Sequence, residues 1–201
     1  LEGLKLNLFG AYTYNIVENS QYLPTSVWAN GQAYKGTKKR ESLLGNMMLT
    51  YKKNWKKHFF DVLALAELQK ETYTGYYTTV SNFSTDKFGY NNLQAGALRL
   101  WEGTNSYYDQ PRLASFMGRF NYTYADRYVL TLNARTDASS KFGANHKWGF
   151  FPSASAAWVI SEEEFMKQLP MVDNLKFRIG YGLAGNQSGI DSYTTLNLVK
   201  P

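Results

Sequence analysis

Strict alternation of apolar and polar residues is the feature that most limits what this chain can become. Leu4, Leu6, Leu8, Tyr12 and Tyr14 share one parity, while Lys5, Asn7, Thr13 and Asn15 share the other. Residues two apart lie on one face of an extended strand, so the pattern predicts β-strand rather than amphipathic helix. The same alternation recurs along the chain. Leu43, Met47, Leu49 and Tyr51 oppose Ser42, Asn46, Thr50 and Lys52. Phe60, Val62, Ala64, Ala66 and Leu68 oppose Asp61, Glu67, Gln69 and Glu71, with Leu63 and Leu65 blurring the contrast. Ala114, Phe116, Phe120, Tyr122 and Tyr124 oppose Ser115, Arg119, Asn121 and Thr123. After the tight turn Ala125-Asp126-Arg127, Tyr128, Leu130, Leu132 and Ala134 oppose Thr131, Asn133, Arg135 and Asp137. A sixth strand spans Trp148 to Ile160 and a seventh Leu175 to Gly182. Between them, Ser161-Glu162-Glu163-Glu164 has the spacing of a capping box, with Ser161 as N-cap and Phe165, Met166 and Leu169 as anchors of one helical turn.

The connections sort by length. Strands two and three, and four and five, are joined by tight turns, and six and seven by the short helical segment. Long connections run from Ile16 to Glu41, Thr74 to Pro111 and Ala138 to Lys147. Short turns alternating with long loops are how a transmembrane β-barrel is organised. The predicted strands, about nine to twelve residues each, have the length a tilted membrane strand needs. Aromatic residues gather near strand ends on the apolar parity, at Tyr12, Tyr14, Tyr51, Tyr122, Tyr124, Tyr128, Trp158 and Tyr181. Amphipathic rings favour the two interfaces of a bilayer. Arg119, Arg135, Asp137 and Arg178 fall mid-strand on the polar parity and are expected to face a wet lumen. The expected fold is therefore all-β: an antiparallel up-and-down meander of about seven strands, forming a segment of a large transmembrane β-barrel. The alternative is a soluble β-sandwich carbohydrate-binding module, in which the apolar faces would meet a second sheet.

Composition narrows the remaining classes. The 201 residues include no cysteine, which excludes disulfide frameworks and cysteine nucleophiles. No apolar run approaches the roughly 18 residues of a membrane helix. Leu1-Glu2-Gly3 is not a signal peptide, and residues 1–201 are expected to be one incomplete piece of a barrel domain. The surplus of 22 Lys and Arg over 16 Asp and Glu is spread over strand ends without a nucleic-acid motif, so no nucleic-acid partner is expected. Lys38-Lys39-Arg40 would instead sit in an outer loop within reach of lipid phosphates, and His58 at a solvated strand start.

The later motifs carry a resemblance. Arg127-Tyr128-Val129-Leu130-Thr131 is followed by Arg135-Thr136-Asp137-Ala138-Ser139-Ser140-Lys141-Phe142-Gly143. Trp148-Gly149-Phe150-Phe151-Pro152-Ser153-Ala154-Ser155 with Trp158, then Ile160-Ser161-Glu162-Glu163-Glu164-Phe165-Met166, come next. Leu175-Lys176-Phe177-Arg178-Ile179-Gly180-Tyr181-Gly182 and Gly185-Asn186-Gln187 close the series. In order and spacing these resemble the SusC/RagA-like TonB-linked outer-membrane proteins of Bacteroidetes, with Ala138 standing where that family commonly has Gly. The resemblance implies a barrel of about twenty-two strands around a plug in the outer membrane. It also implies uptake of an oligosaccharide or peptide, powered by the TonB complex beneath a SusD-like surface lipoprotein. The plug and the TonB box are expected outside this chain.

Candidate sites follow from the long loops. Tyr76, Tyr77, Trp101, Tyr107 and Tyr108, with Tyr73 beside them, are expected to contact ligand, because aromatic faces stack on sugar rings or grip peptides. Asp137, Ser139, Ser140 and His146 lack a nucleophile elbow and read as a hydrogen-bonded turn, so no enzymatic activity is expected. Asp191 with Asn186 supplies too few oxygens for calcium, and Gly180, Gly182, Gly185 and Gly189 lack the βαβ setting of a dinucleotide site. Neither a cofactor nor a metal is expected.

Overall fold

A computed structural model describes residues 2–143, 147–166 and 171–186. Eight strands follow in order: β1 (Leu4–Leu23), β2 (Gln32–Trp55), β3 (His58–Phe83), β4 (Gly96–Asp109), β5 (Arg112–Tyr124), β6 (Tyr128–Ser139), β7 (Trp148–Val159) and β8 (Lys176–Gly182). They form one sheet in the order β1-β2-β3-β5-β6-β7-β8, with β4 paired to β3 off that path. Two compact units divide the chain: the described residues of Leu1–Gly10, Leu44–Gln69 and Arg112–Pro201, and a second unit of Ala11–Leu43 and Lys70–Pro111.

The eighth strand reconciles with the seven read from sequence. Tyr73 pairs with Asp109 and Thr74 with Tyr108. The Glu71 amide donates to the Pro111 carbonyl, and the Ala125 amide to the Lys57 carbonyl. β4 and β5 both pair with β3, and Pro111, which has no N–H to offer the ladder, lies between them.

In the first unit the registers carry each parity across the sheet unbroken. Tyr124 lies opposite Tyr128, Tyr128 opposite Trp158, and Trp158 opposite Phe177. Next come Tyr122, Leu130, Ala156 and Ile179, then Phe120, Leu132, Ala154 and Tyr181. These apolar rows are exposed: Leu132 at 43%, Phe116 at 45% and Phe177 at 59%. The polar parity is the covered one, with Ser115 at 0% and Ser139 at 4%. Leu63, which blurred the alternation, lies on this covered parity at 7%. A soluble sandwich would show the reverse, and the described strands form a single sheet with no second layer over the apolar face.

At the short-turn end the fold uses tight geometry. Ala125 and Asp126 both take positive φ, 50° and 57°, and Arg127 N–H closes the turn onto the Tyr124 carbonyl, as in a type I′ hairpin. His58, expected to be solvated, is instead packed: its Nδ1 lies 2.7 Å from the Tyr122 hydroxyl and its ring 5.0 Å from that of Tyr124. Ile160–Glu162 form a 3-10 turn whose N-cap is Val159 without a side-chain bond, so the capping box does not form. Glu164, the expected N3 carboxylate of that box, instead accepts from Arg127 at 3.3 Å. Met166 is buried as expected, Phe165 is exposed, and Leu169 lies outside the described residues.

Most of the long connections are strand. β1, β2 and β3 run for 20, 24 and 26 residues, well beyond the predicted lengths. Residues 32–41 and 74–83 are rich in Tyr, Thr, Ser and Lys, so they pair as strands without an apolar contrast to announce it. The second unit has its own small core of Ala33, Val80 and Phe83, with Tyr22, Leu93 and Ala95 against it. Tyr22 meets Phe83 edge-on at 5.4 Å. Its hydroxyl donates to Asp86 at 2.6 Å, and Asp86 also accepts from the Thr25 amide and hydroxyl.

Candidate ligand-facing surface

Strand pairing separates the predicted aromatic residues. Opposed positions on β3 and β4 share a face, so Tyr76 and Tyr108 lie on one side, with Thr74 and Ser106. Tyr73, Tyr77 and Tyr107 lie on the other, with Gly75 and Asn105. Tyr34 joins this second group from β2, its ring 5.9 Å from that of Tyr77. Nothing in the sequence marked Tyr34, because its segment did not read as strand.

Two glycines let these rings lie close to the sheet. A Cβ at Gly75 would fall 2.6 Å from the Tyr107 ring and 2.7 Å from the Thr37 carbonyl. At Gly36 it would fall 2.9 Å from both the Tyr34 hydroxyl and the Tyr77 Cβ. The result is a platform of tyrosine rings lying against the sheet. Arg40 borders it. Its guanidinium sits 5.6 Å from the centre of the Tyr73 ring and donates to Glu71 Oε1 at 2.6 Å. The Tyr73 hydroxyl donates to the other oxygen of Glu71. Its bond to Glu71 raises Arg40 above its ordinary pKa, and burial followed by that carboxylate raises Tyr73. The Lys38-Lys39-Arg40 run is therefore strand rather than loop, and alternation divides its charges between two faces.

Trp101 stands apart, 89% exposed, where β4 bulges away from β3. On the polar parity of the first unit, Arg119 lies opposite Asn133, Arg135 opposite Met117, Asp137 opposite Ser115, and Arg178 opposite Ala157. Arg135 Nε reaches both Asp137 oxygens at 2.9 and 3.0 Å, and its Nη2 reaches the buried Ser115 hydroxyl at 3.1 Å. Asn133 bonds Ser153 at 3.1 Å. Among the described residues no group of three His, Asp or Glu converges as metal ligands do. Ser139 and Ser140 do bond within a turn, to Lys141 and Arg112, while His146 lies outside the described residues.

The apolar rows end in aromatic residues at both levels. Tyr124, Tyr128, Trp158 and Phe177 mark one. Phe116 and Trp148, stacked at 6.1 Å, mark the other together with Phe150. The levels are about eight to ten residues apart, roughly 27–34 Å along a strand. At a tilt near 40° that is about 21–26 Å of height, matching the apolar band of about 25 Å in an outer-membrane barrel. A family model described as TonB dependent receptor-like, beta-barrel, matches residues 2–199. The chain belongs to this TonB-dependent receptor β-barrel family. It is 32% identical over 200 residues to TonB-dependent receptor P3 of Formosa agariphila, covering 98% of this chain and 20% of that one. It is 30% identical over 198 residues to TonB-dependent receptor SusC of Bacteroides thetaiotaomicron, covering 96% and 19%. Both organisms fit the Bacteroidetes lineage expected from the motifs. A solved structure of the RagAB peptide importer in its open-open state superimposes with a TM-score of 0.85 at 22% identity, covering 96% of this chain and 21% of that one. A second, of the RagAB peptide transporter, gives 0.80 at 20% identity, covering 90% and 21%. These two establish the shared fold. The chain spans about a fifth of the length of its relatives. The matched family is a β-barrel family, in agreement with the expected fold class.

Proposed function

We propose that this chain is part of a TonB-dependent outer-membrane transporter that imports a nutrient such as an oligosaccharide or peptide. The observation that carries the reading is the exposed apolar parity, continuous over β5 to β8 and framed by two aromatic levels, above a polar parity that is covered along β5 to β7. Lipid accounts for the first face and a hydrated lumen for the second. Arg119, Arg135, Asp137 and Arg178 then line the lumen. A structural neighbour that is a peptide importer supports the peptide class, while the oligosaccharide class rests on the SusC/RagA-like motifs. The TonB complex and a SusD-like surface lipoprotein are the partners this reading requires, and no enzymatic step is part of it.

Within that frame the tyrosine platform is the proposed ligand surface. Tyr77 and Tyr107 lie on it with Tyr34 and Tyr73, while Tyr76 and Tyr108 offer a second aromatic face to ligand or to the lipoprotein. Hydroxyl-bearing rings can stack on a sugar or a side chain while bonding its polar edge. The full-length protein should fractionate with the outer membrane, and its deletion should abolish energised uptake of one nutrient class. Replacing Tyr77 and Tyr107 by Ala should raise the half-saturating nutrient concentration without lowering protein abundance. Growth and uptake untouched by the deletion on every oligosaccharide and peptide mixture tested would remove the transport reading.

A further inference from the structure

The pairing of β3 and β4 fails at one place. Tyr77 lies opposite Asn105, yet Thr79 lies opposite Leu100. Residues 101–104 of β4 therefore face only Thr78 and bulge outward. The excursion is held in place. Thr104 Oγ1 donates to the Leu100 carbonyl at 3.1 Å and lies 3.0 Å from Thr78 Oγ1. Gly103 presses on Thr79, where a Cβ would come within 2.7 Å of the Thr79 Cβ. The residue this bulge presents is Trp101, 89% exposed. Such a large apolar ring normally turns inward or finds a partner. A braced bulge that re-aims one side chain is a recognised device beside binding sites.

A cavity of about 670 Å³ lies at the foot of the indole, lined by Thr78, Val80, Leu93, Gln94, Arg99, Trp101 and Thr104. Its size falls within the range of small-ligand sites. Val80 and Leu93 belong to the core of the second unit or pack against it, which fixes the apolar floor. Thr78, Thr104, Gln94 and Arg99 supply hydroxyl, amide and guanidinium groups around one aromatic face, and among the described residues no carboxylate lines the space. We propose that this cavity is a saccharide subsite, in which a pyranose ring stacks on Trp101 while Thr78, Thr104, Gln94 and Arg99 bond its hydroxyls. A pyranose has an apolar face and a rim of hydroxyls, which is the complement of this lining. A peptide strand would need a continuous run of backbone groups, and the bulge breaks the edge of β4 where the cavity sits. In use this subsite rests on the uptake reading, but binding at it is measured without transport.

The test uses the full-length protein purified in detergent, with a printed array of neutral and acidic oligosaccharides and a random peptide library beside it. Wild type is expected to retain at least one oligosaccharide class. Trp101→Ala should weaken that affinity about tenfold or more while Trp101→Phe keeps part of it. Leu98→Ala, at another exposed apolar residue of β4 outside the cavity lining, should leave it unchanged. Equal heat-modified gel mobility of the variants confirms that each barrel is folded. Retention of no oligosaccharide, equal affinity in the alanine variant, or loss of peptide capture in place of saccharide capture each overturns the subsite. Uptake is scored separately in cells. If energised uptake persists in the alanine variant at full affinity, the subsite alone fails. If saccharide binding is lost as expected but deletion of the gene alters no uptake, the transport reading alone fails.

Discussion

Tyr128 and Trp158 face each other across β6 and β7 and donate to the same oxygen, Glu163 Oε1, at 2.7 and 3.0 Å. Arg127 reaches the other oxygen of Glu163 at 3.0 Å and Glu164 at 3.3 Å. One carboxylate thus ties the turn before β6 to the end of β7. The Tyr128 hydroxyl, then the Trp158 indole, holds the Glu163 carboxyl below the ordinary carboxylate range. A depressed folded value means the contribution is complete above the unfolded pKa near ~4.3 and fades as pH falls through the folded one. Melting of the full-length protein in detergent from neutral to acid pH should therefore show a smaller acid-induced drop for Glu163→Gln than for wild type, from a lower starting Tm. Equal drops would dissociate this knot from acid stability.

Membrane orientation predicts opposite outcomes for adjacent residues. Leu132 lies on the exposed apolar parity between the two aromatic levels, and Thr131 on the covered polar one. Arginine at Leu132 should cost about 2–4 kcal/mol of refolding stability in lipid, and at Thr131 about 0–1 kcal/mol. Urea titration of the refolded barrel measures both, and a reversed order would exchange the assignment of the faces.

Arg135 is fastened by Asp137 and by the buried Ser115 hydroxyl. Its side chain is 38% exposed and that of Asp137 20%, so water screens part of the attraction. Asp137→Ala should cost about 1–2 kcal/mol. Arg135→Lys should lose most of that, because an ammonium cannot span the two carboxylate oxygens and Ser115 together. A double-mutant cycle reads the coupling.

Glycines differ by what surrounds them. Gly75→Ala would drive a methyl into the Tyr107 ring and the Thr37 carbonyl, and the backbone atom cannot swing aside. A loss of about 1–3 kcal/mol is expected. At Gly45 and Gly118 a Cβ meets nothing within 4 Å. Alanine there should be neutral or stabilise by up to about 1 kcal/mol. Thermal melts of the three variants test the contrast.

The Asp86 pin should respond to base. The hydrogen bond to Asp86 pushes the Tyr22 hydroxyl up to about 12. A raised folded value means its contribution is intact below the unfolded pKa near ~10 and is lost as pH climbs through the folded one. Limited proteolysis of the loop at residues 24–31 should accelerate above about pH 10 in wild type. Tyr22→Phe should be cleaved faster at every pH, with a weaker dependence.

Where apolar and polar side chains contrast, as over Tyr128 to Asp137, the strand, its parity and its aromatic end were all legible, because period two is a local property of an extended chain. The family motifs from Arg127 onward were legible for the same reason, being contiguous. Residues 32–41 and 96–109 were not, since Tyr-, Thr- and Asn-rich strands carry no apolar stripe. Tyr34 was therefore invisible as a neighbour of Tyr77, and Tyr76 could not be told from Tyr77 as a face.

Sequence alone determined that this chain is a meander with one greasy and one wet parity, since alternation needs only the geometry of a strand. Only the tertiary structure decided that the greasy parity is left exposed, that β4 pairs with β3 beside the main strand order, and that Glu163 ties Tyr128 to Trp158. Those outcomes depend on register between distant segments, and register is set by pairing energies that no single segment contains.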